Sequence, residues 1–259
     1  MLHRYDSARE PSRAERHKKR IAAAWLCAAL VAFGLAGAFG SMPAHAAGGA
    51  FAVDDSEISD VGACKVESWT SFASNRDFVG VTSPACVVDL GRPVEVGAAF
   101  SAFNAGNVWD QSLTLKGKTN LVKAGVGTVG VALSGGVTFD LSTGDVTALT
   151  AAVPLTFQLS DTFKINVNGG WLYDPTAQQH FGLVGAGFEW NFVKPLTLIG
   201  EVYAVLGEDQ RNPRAQIGLR YTPIDDIDID VIYGRNIAGE DANWITVGLN
   251  VRFNAFEKK

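Results

Sequence analysis

Charged side chains recur at alternate positions in the apolar segments that make up the second half of this chain. Six of them form a candidate row: Lys164, Glu189, Glu201, Arg220, Asp228 and Arg252. Comparable positions elsewhere are held by Lys116, Lys118, Asp140, Arg214, Asp230 and Arg235. Opposed charges along one wall can form ion pairs that hold a structure closed, or they can line a constriction that selects polar or charged solutes.

Catalytic and metal-binding patterns are weak by comparison. His180 is the only histidine after residue 46, and a nucleophilic serine needs a base of this kind beside it. No cluster has the spacing of a metal site, and the DDIDID run alternates with Ile227 and Ile229 as a strand does rather than forming a calcium loop. We therefore expect no enzymatic activity, no metal and no cofactor.

The elements that position the charges are short segments of about ten residues with strict alternation. They read FKINVNGGWLYD, HFGLVGAGFEWNFV, DIDIDVIYGRN and NWITVGLNVRF. Alternation with period two is typical of a strand with two different faces. Here one face is rich in large apolar and aromatic side chains, which favours a barrel with lipid outside and polar groups inside.

The first 46 residues resemble an export signal. Arg13 to Arg20 is strongly basic, residues 21–39 are almost wholly apolar, and Ala44-His45-Ala46 has the small-x-small pattern of a cleavage site. We predict a signal peptide over 1–46 with cleavage between Ala46 and Ala47; the alternative is an uncleaved anchor. The remaining chain is divided into a flexible periplasmic lead-in at 47–62, a transmembrane barrel at 63–253 and a C-terminal tail at 254–259.

Charge limits the partners of the processed chain. The full sequence has 22 basic and 27 acidic residues, and removal of 1–46 leaves 15 and 24, a net charge of −9. An acidic exported chain is unsuited to binding nucleic acid or an anionic lipid surface. No apolar run after Ala47 is long enough for a membrane helix, so a spanning protein must be a closed barrel.

Turn residues divide the barrel region into twelve predicted antiparallel strands, an all-β up-and-down meander. The bounds are 64–73, 77–90, 93–103, 108–119, 126–140, 147–159, 163–173, 180–192, 195–206, 213–222, 226–235 and 243–253. Tight connections on one rim and longer ones on the other predict a periplasmic short-turn side. Ten strands is the alternative if the first hairpin lies outside the wall.

Antiparallel pairing fixes which residues face each other, because paired residue numbers have a constant sum. A turn at Asn75 places Cys64 opposite Cys86, and two cysteines in an oxidising compartment are expected to form a disulfide. Applied to the charges, the same rule predicts a continuous row around the periplasmic half of the inner wall. Its neighbours are Lys164 with Glu189, Glu189 with Glu201, Glu201 with Arg220, Arg220 with Asp228, and Asp226 or Asp228 with Arg252.

Several segments resemble the repeating hairpins of Gram-negative outer-membrane β-barrel proteins, namely INVNGGWLYD, FEWNFVKPLTLIGEVY, GLRYTPIDDIDIDVIYGRN and NWITVGLNVRF. Over residues 60–253 the chain is most similar to short-looped alphaproteobacterial barrels. It departs from the pattern at its end, because Phe253 is followed by six more residues and either Phe253 or Phe256 is the terminal aromatic. The resemblance implies an outer-membrane location, with outer-membrane lipid and the barrel assembly machinery as partners.

Fold and charge together lead to two hypotheses about function. The first is a narrow passive channel for small polar or charged solutes. Its alternative is a non-conducting structural or surface barrel with a lumen filled by salt bridges. Inward-facing small residues on the fifth strand, such as Gly130, Ala132 and Ser134, favour the first because they leave space. The sequence does not fix an oligomeric state.

Overall fold

A computed structural model describes residues 50–207, 213–239 and 241–255. The predicted signal peptide, its cleavage site and residues 256–259 of the predicted tail lie outside the described residues. Twelve strands are present: β1 (Ala63–Ala73), β2 (Phe78–Asp89), β3 (Pro93–Ala105), β4 (Val108–Val122), β5 (Val129–Asp140), β6 (Val146–Ser160), β7 (Phe163–Asp174), β8 (Gln179–Val193), β9 (Leu196–Leu206), β10 (Arg214–Ile224), β11 (Ile227–Asn236) and β12 (Asn243–Asn254). No helix in the described ranges is long and apolar enough to cross a membrane.

The strands form one closed antiparallel barrel in which each strand pairs with its sequence neighbours. Closure comes from β1, which pairs along its whole length with β12, from Ala63 opposite Asn254 to Ala73 opposite Trp244. The first hairpin is therefore part of the wall, and the ten-strand alternative is wrong. The predicted fold class and strand count are confirmed, and the predicted ends lie within three residues of those observed.

The two rims of the barrel differ in their connections. The rim where β1 begins and β12 ends, here the terminal rim, has two-residue turns after β6, β8 and β10. The opposite, far rim has connections of four to seven residues in all but one case. The exception is Gly106-Asn107 after β3, where both residues have positive φ, as the tightest hairpin turn requires.

Alternation along each strand separates two chemically different faces. Large apolar side chains are exposed on the outside, including Val184, Val202, Val231 and Val247. Polar and charged side chains fill the buried rows that face the lumen, as described below. Soluble proteins usually bury their apolar side chains and expose polar ones. The reverse arrangement seen here is what a barrel surrounded by lipid requires.

Aromatic and cysteine positions follow the predicted topology. Trp171 and Tyr173 stack near the far rim, while Trp190 and Phe192 contact each other near the terminal rim. Phe181 lies opposite Leu172 in the inward-facing row and is therefore separate from these outward aromatic side chains. The Cys64–Cys86 disulfide is present between directly paired residues of β1 and β2, as predicted.

Candidate functional site in the barrel lumen

The lumen brings most of the predicted charges together. Eight are on inward-facing rows and largely buried: Lys118, Lys164, Glu189, Glu201, Arg220, Asp228, Asp230 and Arg252. Lys116 also faces inward and lines a cavity, and Arg214 lies on the same inward row as Arg220, at the far rim.

Two predicted lumen charges have other roles. Asp140 ends β5, and its Oδ1 accepts hydrogen bonds from the backbone N–H groups of Ser142 and Thr143, so it caps a turn. Arg235 lies on the outward row of β11 with Val231 and is 3.8 Å from Asp241. Arg235 faces away from the lumen because successive strand residues point to opposite faces, and it is an odd number of positions from Asp228 and Asp230.

The predicted row forms at its ends and breaks in the middle. Lys164 lies opposite Glu189 with Nζ 3.2 Å from Oε1, and Arg252 Nη1 is 2.7 Å from Asp228 Oδ2. Glu201, however, lies opposite Gln216 instead of Arg220.

Three register differences explain the break. Irregular pairing between Trp190 and Val193 places Gly187, rather than Glu189, opposite Glu201. The residue numbers of paired residues in β9 and β10 add up to 417, as for Tyr203 and Arg214. The predicted pairing of Glu201 with Arg220 requires a sum of about 420. The partner of Arg220 on β11 lies two residues beyond the predicted Asp228, because the β10–β11 turn follows Ile224 and the pairing is irregular after Tyr221. Arg220 consequently lies opposite Asp230, and the continuous ring is replaced by two separate clusters.

The first cluster lies on β10–β12 and is almost fully buried. Arg220 makes a bidentate contact with Asp230, with Nε 2.8 Å from Oδ1 and Nη2 3.0 Å from Oδ2. Asp228 accepts hydrogen bonds from Arg252 and from the Thr222 hydroxyl, each at 2.7 Å. Asp228 thus has one cationic and one neutral partner, and both oxygens of Asp230 contact the Arg220 guanidinium. Pairing of this kind is what allows a charged group to be buried.

An element absent from the sequence-based prediction occupies the lumen beside this cluster. Residues 50–57, here the lumen segment, run inside the barrel instead of forming a loose periplasmic lead-in. The carboxylate of Glu201 accepts hydrogen bonds from the backbone N–H groups of Ala52 at 2.8 Å and Val53 at 2.9 Å. Phe51 packs with Ile199 and Ile232, and the Arg220 guanidinium lies 5.7 Å from its ring centre.

The acidic residues of the lumen segment face the second cluster, on β4 and β7. Asp55 bridges two lysines, with Oδ1 3.2 Å from Lys118 Nζ and Oδ2 3.2 Å from Lys164 Nζ. Asp54 adds a contact of 2.9 Å to Lys118, and Glu57 one of 3.5 Å to Lys164. The segment therefore presents N–H donors to a glutamate and carboxylates to lysines.

Small wall residues make room for the segment. A methyl group added at Gly130 would collide with Ser56 Oγ, and one added at Gly185 would lie 2.8 Å from Val53 Cγ2. The Ser56 N–H donates to Thr156 Oγ1 at 2.8 Å. Part of the space expected on β5 is thus taken by the protein's own chain. In the sequence, the apolar residues Phe51 to Val53 directly precede the acidic run from Asp54 to Glu57, which does not by itself indicate a position inside a barrel.

The rest of that space remains as a cavity of about 280 Å³ between the lumen segment and the β1–β6 wall. It is bordered by Lys65, Glu67, Glu95, Lys116 and Lys118, and by small residues that include Ser134 and Gly136. Lys65 pairs with Glu95 at 3.1 Å and with Glu67 at 3.4 Å. Lys116 makes no ion pair with any residue in the described ranges.

His180 lies far from these groups, on the outer face near the far rim. Its Nδ1 accepts a hydrogen bond from Trp171 Nε1 at 3.1 Å, and its ring stacks on Tyr173 with centres 4.7 Å apart. This places His180 in the outer aromatic belt rather than beside a nucleophile.

Comparison with known proteins adds a family and a fold. The family described as "Uncharacterised conserved protein UCP029691" matches residues 35–253. The chain belongs to this family. The match covers the lumen segment as well as all twelve strands except the last residue of β12. No curated protein matches the chain.

Solved structures of outer-membrane channels have the same fold as this member of the family. The KdgM porin in complex with disordered oligogalacturonate has a TM-score of 0.58 at 10% identity, covering 73% of this chain and 99% of the porin. The COG4313 outer membrane channel from Pseudomonas putida F1 also gives 0.58, at 12% identity over 77% and 98%. The NanC porin gives 0.56 at 8% identity over 72% and 98%.

Proposed function

We propose that the protein is a narrow passive channel of the bacterial outer membrane for small polar or charged solutes. Its solute path follows the β1–β6 wall, and the lumen segment with the Arg220 cluster closes the other side. The observation that carries this proposal is the cavity of about 280 Å³ bordered by charges of both signs. Charged linings of this kind select solutes in pores.

The location follows from the fold and the outer apolar face. A barrel with exposed Val202, Val231 and Val247 needs lipid around it. In this proposal the chain is exported by residues 1–46, cleaved after Ala46 and inserted by the barrel assembly machinery. The terminal rim faces the periplasm, and the barrel acts without catalysis.

The second candidate is a non-conducting structural barrel. It is favoured by a specific observation, namely that Phe51 of the lumen segment and the ion pair of Arg220 with Asp230 fill the lumen beside β9–β11. The two candidates differ in whether ions pass through the folded, isolated barrel.

Planar-bilayer conductance of the folded protein separates them. Discrete current steps are expected from the channel, and Ser134→Trp should lower the unit conductance because Ser134 borders the cavity. Leu133→Trp is the matched control, because Leu133 is the adjacent residue and is exposed on the outer face. Folded wild-type protein without resolvable current, or equal effects of the two variants, would contradict the proposed path.

A further inference from the structure

The ion pairs of Lys118 are made with the lumen segment, although Glu95 of the barrel wall lies directly opposite Lys118. Among the described residues, its carboxylate partners are Asp54 and Asp55, both in the lumen segment. With the segment in place the Lys118 side chain is only 8% exposed, so its charge needs a nearby anion there.

Lys164 is shared between the wall and the segment. On the wall it pairs with Glu189, and on the segment it pairs with Asp55 and Glu57. One carboxylate, that of Asp55, is fully buried and contacts both lysines at 3.2 Å through its two oxygens. Charge-assisted contacts of a single carboxylate with two cations form a specific anion site.

From these contacts we infer that Lys118 and Lys164 form a binding site for small solutes with two or more carboxylates, and that the lumen segment occupies this site as a tethered competitor. The segment carries three carboxylates within four residues, Asp54, Asp55 and Glu57. It reproduces the charge pattern of such a solute inside the chain itself. This inference rests on the proposed channel function, since solutes must reach the lumen to compete.

The geometry beside the site supports exchange between segment and solute. Asp54 borders the cavity of about 280 Å³ together with Lys118, so a solute in the cavity reaches the site without crossing the barrel wall. Lys116 borders the same cavity and adds positive charge along the path, whereas the charge of Lys65 there is balanced by Glu67 and Glu95. When the segment leaves, its three negative charges leave with it, and the β4 and β7 lysines attract anions.

The first experiment compares ion currents of the wild type and of a variant with a neutral segment of equal length, Asp54→Asn/Asp55→Asn/Glu57→Gln. The variant should conduct more and prefer anions more strongly. Tricarballylate, a small tricarboxylate, should then block its current at a concentration about tenfold lower than acetate at equal ionic strength. Adding Lys118→Gln/Lys164→Gln should remove this difference, whereas Lys194→Gln in an exposed turn should leave it.

The second experiment uses the intact processed protein and does not depend on conductance. A glutamate-specific protease cleaves after Glu57 when the segment leaves the lumen. Tricarballylate should accelerate this cleavage several-fold relative to acetate, through competition at Lys118 and Lys164.

The outcomes separate the two proposals. A conducting neutral-segment variant with equal block by tricarballylate and acetate, or with block that persists without the two lysines, would overturn the binding site and leave the channel. Absence of current from every folded variant would overturn the channel. In that case, cleavage that is unchanged by tricarballylate would overturn the site as well, and accelerated cleavage would support it.

Discussion

Two sides of one lumen, built from the same kind of strand, have opposite contents. On β9–β12, here the filled side, the inward rows carry Ile199, Ile232 and Trp244. Ile199 and Ile232 pack with the lumen segment, and Trp244 packs over Gly234 of the wall. On β1–β6, here the open side, the inward rows include Ser134 and Gly136 and leave a cavity. All of these strands pair antiparallel with their neighbours, so the inward side chains and the lumen segment together decide where the lumen is filled.

Charge is used differently on the two sides as well. On the filled side, Arg220 and Asp230 satisfy each other at hydrogen-bond distance with almost no exposure. On the open side, Lys116 has no ion-pair partner among the described residues and faces the cavity. In the proposed channel, the charges on the filled side stabilise the barrel, whereas Lys116 on the open side acts on solutes. Variants of matched chemistry on the two sides test this division.

The largest effect is expected from Arg220→Ala on the filled side. It leaves the buried carboxylates of Asp228 and Asp230 with fewer cations, and breaking a buried pair on one side costs about 3–5 kcal/mol. Urea unfolding of the barrel in lipid vesicles, followed by tryptophan fluorescence, measures the loss of unfolding free energy.

Arg214→Ala is the control for this experiment, because it removes the same residue type from the same inward row of β10 at an exposed position. Its cost should be about 1 kcal/mol or less, as for exposed charges generally. Equal losses from the two variants would mean that the Arg220 cluster is not a structural element of the filled side.

A smaller effect is expected at Gly130, where the wall makes room for the lumen segment. In Gly130→Ala the new methyl group collides with Ser56 Oγ of the segment and with Ala124 in the β4–β5 connection, so the segment or this connection must move. Overpacking of this kind costs about 1–3 kcal/mol. Cleavage after Glu57 by a glutamate-specific protease should accelerate, because the segment spends more time outside its binding position.

Gly169→Ala serves as the comparison, since no atom lies within 4 Å of a methyl group placed there. It should leave the cleavage rate unchanged. If both glycine variants behave alike, the segment is not held by close packing against β5.

Much of the fold could be predicted from the sequence, because alternation, turn residues and outer aromatics are local signals. Turn positions were enough to pair Cys64 with Cys86 and Lys164 with Glu189. They were not enough between β9 and β10, where Glu201 faces Gln216 rather than Arg220. With seven residues between β9 and β10, the sequence does not determine which residue lies at the centre of the connection, and therefore which residues pair. Pairing irregularities near Trp190 and Tyr221 change the register further.

The lumen segment could not be predicted for a different reason. Its contacts join residues more than 60 positions apart, such as Asp55 with Lys118 and Val53 with Glu201. In the sequence, AGGAFAVDDSE has the polar, small-residue composition of a loose linker. Only the closed barrel brings the Glu201 carboxylate to the backbone of Val53, and the lysines of β4 and β7 to its acidic residues.

The smallest effect, and the sharpest test of the open side, is expected from Lys116→Gln. Lys116 has no ion pair to lose among the described residues, so unfolding free energy should change little. A unit charge acts on a solute ion about 4 Å away with about 1 kcal/mol in water, which corresponds to at most about a fivefold change in relative permeability. Reversal potentials under a salt gradient should therefore shift toward cation preference. Lys194→Gln, which removes the same charge from an exposed turn on the terminal rim, should not produce this shift. If Lys116→Gln lowers stability and leaves the reversal potential unchanged, the open side is structural like the filled side, and the contrast between them disappears.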